Sequence, residues 1–349
     1  PKQYLIMKKY KLLKKSKIEF LGKTLFQIQA LKDFGCISKG EKGGFVESEV
    51  NLSQEGDSWV ADKAMISGDA RVFGDARVLG TARVLGTAWV FGDARVLGNA
   101  RVLGNARVSG DTRIEGTAWV GGDARVSGYA WVFGDAWVDG TAWVLGNARV
   151  SGDTRVSGDA RVSGSARVLG GARVFGDAWV LGNARVFGNA RVSGDTRIEG
   201  TAWVGGDARV SGYAWVFGDA WVDGTAWVLG NARVSGDTRV SGNAKVSGNA
   251  MILGDTRVGG DAWITSDACV SGGAVVDGNA MVFDRARVFG DARVSGDALV
   301  LGDAWVSGDA IVDGDAWVSG DARVFGDTRI EGDENIESNK SSGGTPAPL

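Results

Sequence analysis

A period of six residues governs this chain from Gly56 to Glu331. The segment divides into 46 consecutive six-residue blocks without an insertion or a deletion. The block 74–79 is typical: glycine stands first, Asp, Asn or Thr usually second, Ala or Thr third, and Val or Ile fifth. Such a period must be interpreted before any single helix or strand, because it fixes the architecture of the whole segment.

Within each block, the sequence Ala-x-Val alternates like a short β-strand. Ala and Val project to one side, and the residue between them projects to the other. The Gly-Asp or Gly-Asn pair that follows favours a tight corner. Asp62, Ser266 and Asp284 stand where other corners have glycine. Short strands separated by regular corners predict an all-β chain in which parallel strands stack coil upon coil, that is, a parallel β-solenoid.

The repeat resembles the hexapeptide-repeat family of left-handed β-helices, and the stretch 43–56 resembles the entry to the solenoid in YdcK-type bacterial proteins. This resemblance implies a left-handed triangular β-helix, which at three blocks per coil has about 15 coils stacked ~4.8 Å apart. A flattened, two-sided coil of twelve residues is the alternative. Residues 104–158 recur unchanged as 188–242, and this copy leaves both coil shapes open.

The fourth slot of each block is predicted to point outward. It holds all 14 tryptophans and every arginine except Arg285. We expect these side chains to form ladders in which indole and guanidinium groups stack on neighbouring coils. The ladders either shield the strands or bind a partner. The candidate binding residues are Trp89, Trp119, Arg125, Trp131, Trp137, Trp143, Trp203, Arg209, Trp215, Trp221 and Trp227.

Segments at both ends differ from the repeat. Residues 1–7 are interpreted as a non-native leader, with Met7 as the natural start. Residues 8–55 are expected to cap the first coil with a β-hairpin that turns at 21–23, because an open solenoid end exposes unpaired strand edges. The solenoid is assigned to residues 56–332. The polar tail 333–349 is expected to be disordered, leaving the last coil to be closed by 332–336, by the tail or by another molecule.

Composition excludes several classes of function. The net charge of −3, from 39 basic and 42 acidic residues, gives no field that favours nucleic acid or a membrane. No apolar run is long enough to span a bilayer, so we expect a cytoplasmic protein. Cys36 and Cys269 fit neither a disulfide framework nor a zinc cluster and are expected to be buried. The corner aspartates are expected to support turns and pair with arginines, and no metal or cofactor is predicted.

Chemistry is the weakest signal in the sequence. Hexapeptide-repeat acyltransferases use a histidine as general base, and this sequence contains no histidine. The leading hypothesis is therefore a non-enzymatic rod that acts through its ladders or its ends, in self-association or in binding a protein or glycan. The alternatives are an acyltransferase-like enzyme and a glycan-binding or phage-type fibre component.

Overall fold

The computed structural model describes residues 7–337 and 340–341, and the chain divides into two compact units, Pro1–Gly170 and Gly171–Leu349. The N-terminal unit begins with strands β1 (Tyr10–Phe20), β2 (Lys23–Ala30) and β3 (Lys42–Val46), followed by the 3-10 helix Glu49–Asn51. Its repeat strands β4 to β22 are, in order, Trp59–Val60, Met65–Ile66, Arg71–Val72, Arg77–Val78, Arg83–Val84, Trp89–Val90, Arg95–Val96, Arg101–Val102, Arg107–Val108, Arg113–Ile114, Trp119–Val120, Arg125–Val126, Trp131–Phe133, Trp137–Val138, Trp143–Val144, Arg149–Ser151, Arg155–Val156, Arg161–Val162 and Arg167–Val168.

The C-terminal unit consists of further repeat strands. Strands β23 to β51 are, in order, Arg173–Val174, Trp179–Val180, Arg185–Val186, Arg191–Val192, Arg197–Ile198, Trp203–Val204, Arg209–Val210, Trp215–Val216, Trp221–Val222, Trp227–Val228, Arg233–Val234, Arg239–Val240, Lys245–Val246, Met251–Ile252, Arg257–Val258, Trp263–Ile264, Cys269–Val270, Val275–Val276, Met281–Val282, Arg287–Val288, Arg293–Val294, Leu299–Val300, Trp305–Val306, Ile311–Val312, Trp317–Val318, Arg323–Phe325, Arg329–Ile330, Asn335–Ile336 and Lys340–Ser341.

The coil has three sides in each unit. Within each unit, repeat strands pair in parallel with the strand three further along, so Arg95 lies beside Arg113 in the N-terminal unit and Arg209 lies beside Trp227 in the C-terminal unit. Each coil therefore takes 18 residues and contributes one strand to each of three sheets. The predicted parallel β-solenoid is confirmed, and the two-sided coil is wrong.

The alternation of Ala and Val builds the core. Val78 and Ala76 are fully buried, as are their counterparts along the repeat, while Arg77 between them points outward. Val and Ile suit this pleated, buried surface, and alanine fills the narrow space beside each corner.

The corners explain why glycine recurs in the first slot. Gly110 has φ +70°, a left-handed conformation that residues with a Cβ rarely adopt. A Cβ built there would also lie 2.8 Å from the carbonyl oxygen of Gly128 in the next coil. Both the backbone angle and the close stacking of corners therefore select glycine.

Hydrogen bonds between two corner side chains run in one direction, from a donor in one coil to an acceptor in the next. The Thr87 hydroxyl donates to the Asn105 side chain, whose Nδ2 donates to Asp123 at 2.8 Å. An ionised aspartate has no proton to donate, so a chain of this kind ends where it reaches Asp.

A hairpin covers the first coil of the N-terminal unit. Strands β1 and β2 pair antiparallel around Leu21 and Gly22, and β1 begins at Tyr10, earlier than the strand pattern around 17–20 indicates. Strand β3 joins β2 antiparallel and β5 parallel, with Phe45 beside Met65. The hairpin thus extends one sheet of the solenoid.

Strand pairing continues beyond residue 332, where the sequence was interpreted as the start of a disordered tail. Asn335 pairs with Trp317 and Ile336 with Val318. Residues 332–337 form another block of the repeat, with Ile336 in the fifth slot, which explains the added strand. The tail residues 338–339 and 342–349, like leader residues 1–6, lie outside the described residues.

Candidate functional site: columns of arginine and tryptophan

The predicted binding residues lie in columns. A column here means the fourth-slot residues of one sheet within one unit. In the N-terminal unit, Trp119 and Trp137 share one column, Trp89, Arg125 and Trp143 share a second, and Trp131 lies in the third. In the C-terminal unit, Trp203 and Trp221 share a column, Arg209 and Trp227 share another, and Trp215 lies in the remaining one. Because the coil has three sides, the eleven residues form ladders and no single cluster.

Arginines cover the ring faces of most of these tryptophans. Trp143 lies between Arg125 and Arg161, whose Cζ atoms are 5.0 and 5.1 Å from its ring. In the C-terminal unit, Trp227 lies between Arg209 at 5.0 Å and Lys245 at 5.5 Å. These distances are typical of cation–π contacts.

Trp131 and Trp215 are enclosed in the same way. Arg113 and Arg149 lie 4.9 and 5.3 Å from the ring of Trp131. The matching distances for Trp215 are 5.0 Å to Arg197 and 5.5 Å to Arg233, and Trp89 has Arg107 at 5.5 Å.

Two pairs of tryptophans lie in ring contact, each with centroids 4.5 Å apart. Trp203 and Trp221 are stacked, whereas the rings of Trp119 and Trp137 are tilted by 45°. Trp137 also meets Arg155 at 5.0 Å and remains 38% exposed. Contacts within a column therefore cover part of each ring.

The arginines keep their hydrogen-bonding capacity. Arg125 and Arg209 are exposed, and within the described part of the chain neither guanidinium group donates a hydrogen bond or forms an ion pair. A guanidinium that stacks on an aromatic ring still has five N–H donors arranged in a rigid plane. The columns thus present guanidinium groups to solvent, and those of Arg125 and Arg209 keep their N–H donors free while stacking restricts their position.

A groove of about 550 Å³ follows one column of the N-terminal unit. Trp89 and Trp143 lie at its two ends, with Arg107 and Arg125 between them. Its other wall is the corner formed by Thr87, Asn105, Asp123 and Thr141. Arg107 was missed as a candidate, although it occupies the same fourth slot, because its place between two tryptophans depends on the 18-residue coil.

A second groove, of about 520 Å³, lies in the C-terminal unit. It is lined by Arg239, Arg257 and Arg293, with Val275 in the fourth slot where an arginine would continue the column. Asp277 also lines it. No tryptophan lines this groove, although Arg239 contacts the ring of Trp221 outside it at 5.3 Å.

Trp59 departs from the outward pattern. It occupies a fourth slot, yet it is only 1% exposed because the N-terminal segment covers it. The ring of Phe34 meets it edge-on at a centroid distance of 5.4 Å. Its neighbours thus include residues that the repeat itself does not supply.

Lys9 and Tyr10 fasten this N-terminal segment. The Lys9 ammonium donates to the carbonyl of Ser58 at 2.9 Å and to the carbonyl of Gly56 at 3.2 Å. Burial lowers the pKa of Lys9 to about 8. The Tyr10 hydroxyl donates to the carbonyl of Leu52 at 2.8 Å, and burial raises the pKa of Tyr10 above its ordinary value.

One corner of the N-terminal unit is acidic. Asp57, Asp75, Asp93 and Asp111 stand one above another at successive coils, and the last three are exposed. A hydrogen bond between the Asp93 and Asp111 carboxyls raises the pKa of Asp93. The expected pairing of corner aspartates with arginines occurs between Arg285 and Asp303 at 3.0 Å. Other corner carboxylates, such as those of Asp123 and Asp135, accept from the preceding coil instead.

The two cysteines differ in exposure, and neither is fully buried. Cys36 is exposed, and Cys269 lies half-buried in a fourth slot, so the expectation of two buried cysteines is wrong. The alternation itself directs Cys269 outward.

Among residues 7–337, no group of three or more Cys, Asp or Glu side chains could hold a metal ion. The described residues include no helix long and apolar enough to cross a membrane.

Comparison with known proteins identifies the type of repeat. The sequence profile of the YdcK β-solenoid repeat matches residues 155–170, 184–200, 286–302 and 292–308. No curated protein sequence matches the chain.

Solved structures add two distant likenesses. Arabidopsis UDP-N-acetylglucosamine acyltransferase is 14% identical, with 55% of this chain and 70% of that chain covered and a TM-score of 0.26. For the Francisella novicida UDP-N-acetylglucosamine acyltransferase, the identity is 14%, the coverage 53% and 63%, and the TM-score 0.25. Neither likeness is close enough to assign a site. The resemblance seen in the sequence is confirmed by the profile match: the matched residues are YdcK-type β-solenoid repeats.

Proposed function

We propose that this protein is a non-enzymatic interaction module that binds an acidic partner through its columns of arginine. One observation carries the proposal. Tryptophans stack on the arginines within each column, while the guanidinium groups of Arg125 and Arg209 donate no hydrogen bond inside the described part of the protein.

Stacking favours binding because it restricts the arginine side chain before a partner arrives. A free arginine loses rotamer entropy when it is immobilised, which opposes association. An arginine already held against an indole loses less, and its planar donors suit carboxylates. The coil spacing of ~4.8 Å repeats this arrangement along a column, so an extended partner contacts several arginines at once.

The same geometry argues against stacking of neutral sugars on the enclosed tryptophans. A sugar-binding platform needs an exposed ring face, and Trp143 and Trp227 have cations on both faces. A glycan that bound here would have to engage the guanidinium groups, and would therefore need acidic groups of its own.

An acyltransferase-like activity is the alternative that the family resemblance of the repeat suggests, and the absence of histidine weighs against it. The sequence has no histidine, so the general base that the family resemblance implies has no counterpart at any position. Lys9, whose pKa of about 8 would suit proton transfer, is 1% exposed and committed to backbone carbonyls. Saturable binding of acetyl-CoA with turnover would overturn the proposal.

Binding of fluorescein-labelled poly-L-glutamate, followed by fluorescence anisotropy, tests the proposed function. The double variant Arg107→Gln/Arg125→Gln removes two guanidinium groups from the larger groove and should weaken binding roughly fivefold to tenfold. The control Lys63→Gln/Arg285→Gln removes the same charge outside the columns and should change affinity less than about twofold. Equal losses in both variants would show that net charge alone attracts the polymer.

The role of the tryptophans requires a separate variant. Trp143→Leu keeps every charge of the groove but removes the ring between Arg125 and Arg161. We expect roughly a twofold to fivefold loss of poly-L-glutamate affinity, with little change in its salt dependence. Unchanged affinity would contradict positioning by stacking.

A further inference from the structure

The C-terminal groove, defined as the groove of about 520 Å³ lined by Arg239, Arg257 and Arg293, contains two small residues where the repeat usually places larger ones. Val275 stands in the fourth slot between Arg257 and Arg293 in one sheet. Gly259 stands in the sixth slot of the block that contains Arg257. The column thus has a gap at Val275, and Gly259 adds space at its side.

The fold does not require glycine at position 259. The corner glycines have positive φ, whereas Gly259 is not among the described residues with positive φ. A Cβ built there has side-chain atoms as its nearest neighbours, Asp277 Oδ1 at 3.1 Å and Ser241 Oγ at 3.8 Å, and not backbone. Leucine occupies the same slot at Leu253 and Leu301. Glycine here therefore provides open space rather than a backbone conformation.

Two other sixth slots of the repeat hold glycine, Gly121 and Gly205. In both, an aromatic side chain lies where a Cβ would be: Trp119 at Gly121 and Phe187 at Gly205. At Gly259 the nearest atoms are polar oxygens and one carboxylate carbon. The space beside Gly259 is therefore bordered by hydrogen-bonding groups and is not filled by a ring.

Three exposed guanidinium groups lie along this space. Arg239 and Arg257 are one coil apart, about 4.8 Å, and Arg293 is two coils beyond Arg257. Arg239 contacts Trp221, but among the described residues Arg257 and Arg293 have neither an aromatic ring nor a carboxylate as partner. Like charges at this spacing repel one another, and an anion placed between them relieves that repulsion.

We propose that the C-terminal groove binds a compact, multiply charged oxyanion of the phosphate or sulfate type. The anion lies over Val275 between Arg257 and Arg293, with Arg239 beside it. Guanidinium groups bind such oxyanions through paired N–H donors, and the Ser241 hydroxyl supplies a further donor at the wall. The inference goes beyond the proposed function, which concerns extended acidic partners, because it assigns a small anion to a separate groove.

Asp277 determines which side of the groove the anion occupies. Its Oδ1 accepts from the N–H of Gly278 at 2.9 Å, so this carboxylate forms part of the wall. An anion is repelled from that wall and is held on the side of the arginines. Because three guanidinium groups oppose one carboxylate, the lining as a whole remains positively charged.

Isothermal titration calorimetry of the full chain with inorganic pyrophosphate, without divalent cations, tests the proposal. Arg257→Gln/Arg293→Gln should weaken binding about tenfold or more. The matched control is Arg287→Gln/Arg323→Gln, which removes the same charge at the same two-coil spacing. These two arginines flank Trp305 at 5.3 and 4.7 Å, so no gap lies between them. The control should change pyrophosphate affinity less than about twofold. Equal losses in the two variants would overturn the proposal.

Two further variants test the shape and the charge of the groove separately. Gly259→Leu keeps every charge and fills the space, and should weaken pyrophosphate binding roughly fivefold to tenfold. Asp277→Asn removes the repulsive carboxylate and should tighten binding roughly twofold to fivefold. Far-UV circular dichroism verifies that each variant is folded. A folded Gly259→Leu variant that binds as the wild type does would contradict a site beside Gly259.

Inorganic phosphate and sulfate, titrated in parallel, identify which oxyanion the groove prefers, and binding of either through Arg257 and Arg293 supports the site. The absence of saturable binding of all three anions overturns it. The poly-L-glutamate test of the proposed function depends on Arg107 and Arg125, which none of these variants changes. Failure of the small-anion site and failure of the proposed function are therefore distinguishable.

Discussion

Three corners of the solenoid lack glycine yet keep the backbone conformation that glycine favours. Asp62, Ser266 and Asp284 have φ values of 56°, 61° and 58°. Two of them offset this strain through their side chains: Asp62 accepts from the N–H of Gly80 at 2.9 Å, and Asp284 from that of Gly302 at 3.2 Å. Ser266 makes no such bond within the described residues. Strain at these corners is therefore unequal.

Replacing Ser266 by glycine should stabilise the protein. The left-handed conformation costs a residue with a Cβ roughly 1–2 kcal/mol. Glycine avoids this cost, but it loses more conformational entropy on folding, which cancels part of the gain in stability. We expect Ser266→Gly to raise the free energy of unfolding by about 0.5–1 kcal/mol, measured by urea denaturation. Asp62→Gly is the matched comparison and should gain less, because it loses a hydrogen bond. A larger gain in Asp62→Gly would contradict this account.

At the scale of elements, the N-terminal segment is fastened by a buried lysine whose charge is costly. The pKa of Lys9 is lowered to about 8 from 10.5, so between these values the folded protein binds fewer protons than the unfolded chain. Stability should therefore rise with pH across this window, because the cost of burying the charge is fully present below pH 8 and is relieved above it. Tyr10, whose pKa is raised, acts in the opposite direction once the unfolded tyrosine ionises.

Comparison with Lys9→Met isolates this effect, since Tyr10 is common to both proteins. We expect the stability of the wild type relative to Lys9→Met to increase by roughly 1.4 kcal/mol per pH unit between pH 8 and 10, up to about 3 kcal/mol in all. Differential scanning calorimetry at a series of pH values gives the difference. A difference that does not change with pH would mean that the lysine is not desolvated when the protein folds.

Much at this scale could be predicted from the sequence, because the decisive interactions are local. The alternation of Ala and Val within one block determines which side of a strand is buried, and the slot of Arg125 directs it outward. The burial of Trp59 could not be predicted in the same way. It depends on Phe34, which reaches it only after the hairpin has packed on the first coil.

The candidate site was predictable in its composition and not in its arrangement. The fourth slot identifies the tryptophans and arginines, but which of them meet depends on the number of blocks in a coil. With 18 residues per coil, Trp143 meets Arg125 and Arg161. A coil of twelve would have given other neighbours. The covering of the ring faces, which decides between sugar stacking and arginine positioning, follows only from distances between coils.

On the scale of the whole molecule, nearest-neighbour stacking predicts how the chain tolerates changes of length. Deleting residues 123–140 removes one coil and joins Gly122 to Thr141, which keeps every slot in order. This variant should fold with the same circular dichroism per residue as the parent, because each repeat contacts only its neighbours. Deleting residues 123–131 joins Gly122 to Val132, disrupts the order of slots and should lose much of the strand signal. Equal folding of both variants would contradict the requirement for a fixed order of slots.

The one-way hydrogen bonds at the corners have a consequence for how such a gene grows. The identical stretches 104–158 and 188–242 meet different neighbours at their ends: Thr141 donates to Asp159, whereas Thr225 donates to Asn243. Asp and Asn both accept this hydrogen bond. A stretch of DNA copied in a multiple of six codons therefore encodes its own internal contacts. It needs compatible neighbours only at its two seams, that is, where the copied segment joins the rest of the chain. Natural selection then acts on the seams, and recombination can lengthen the protein without inventing a new core.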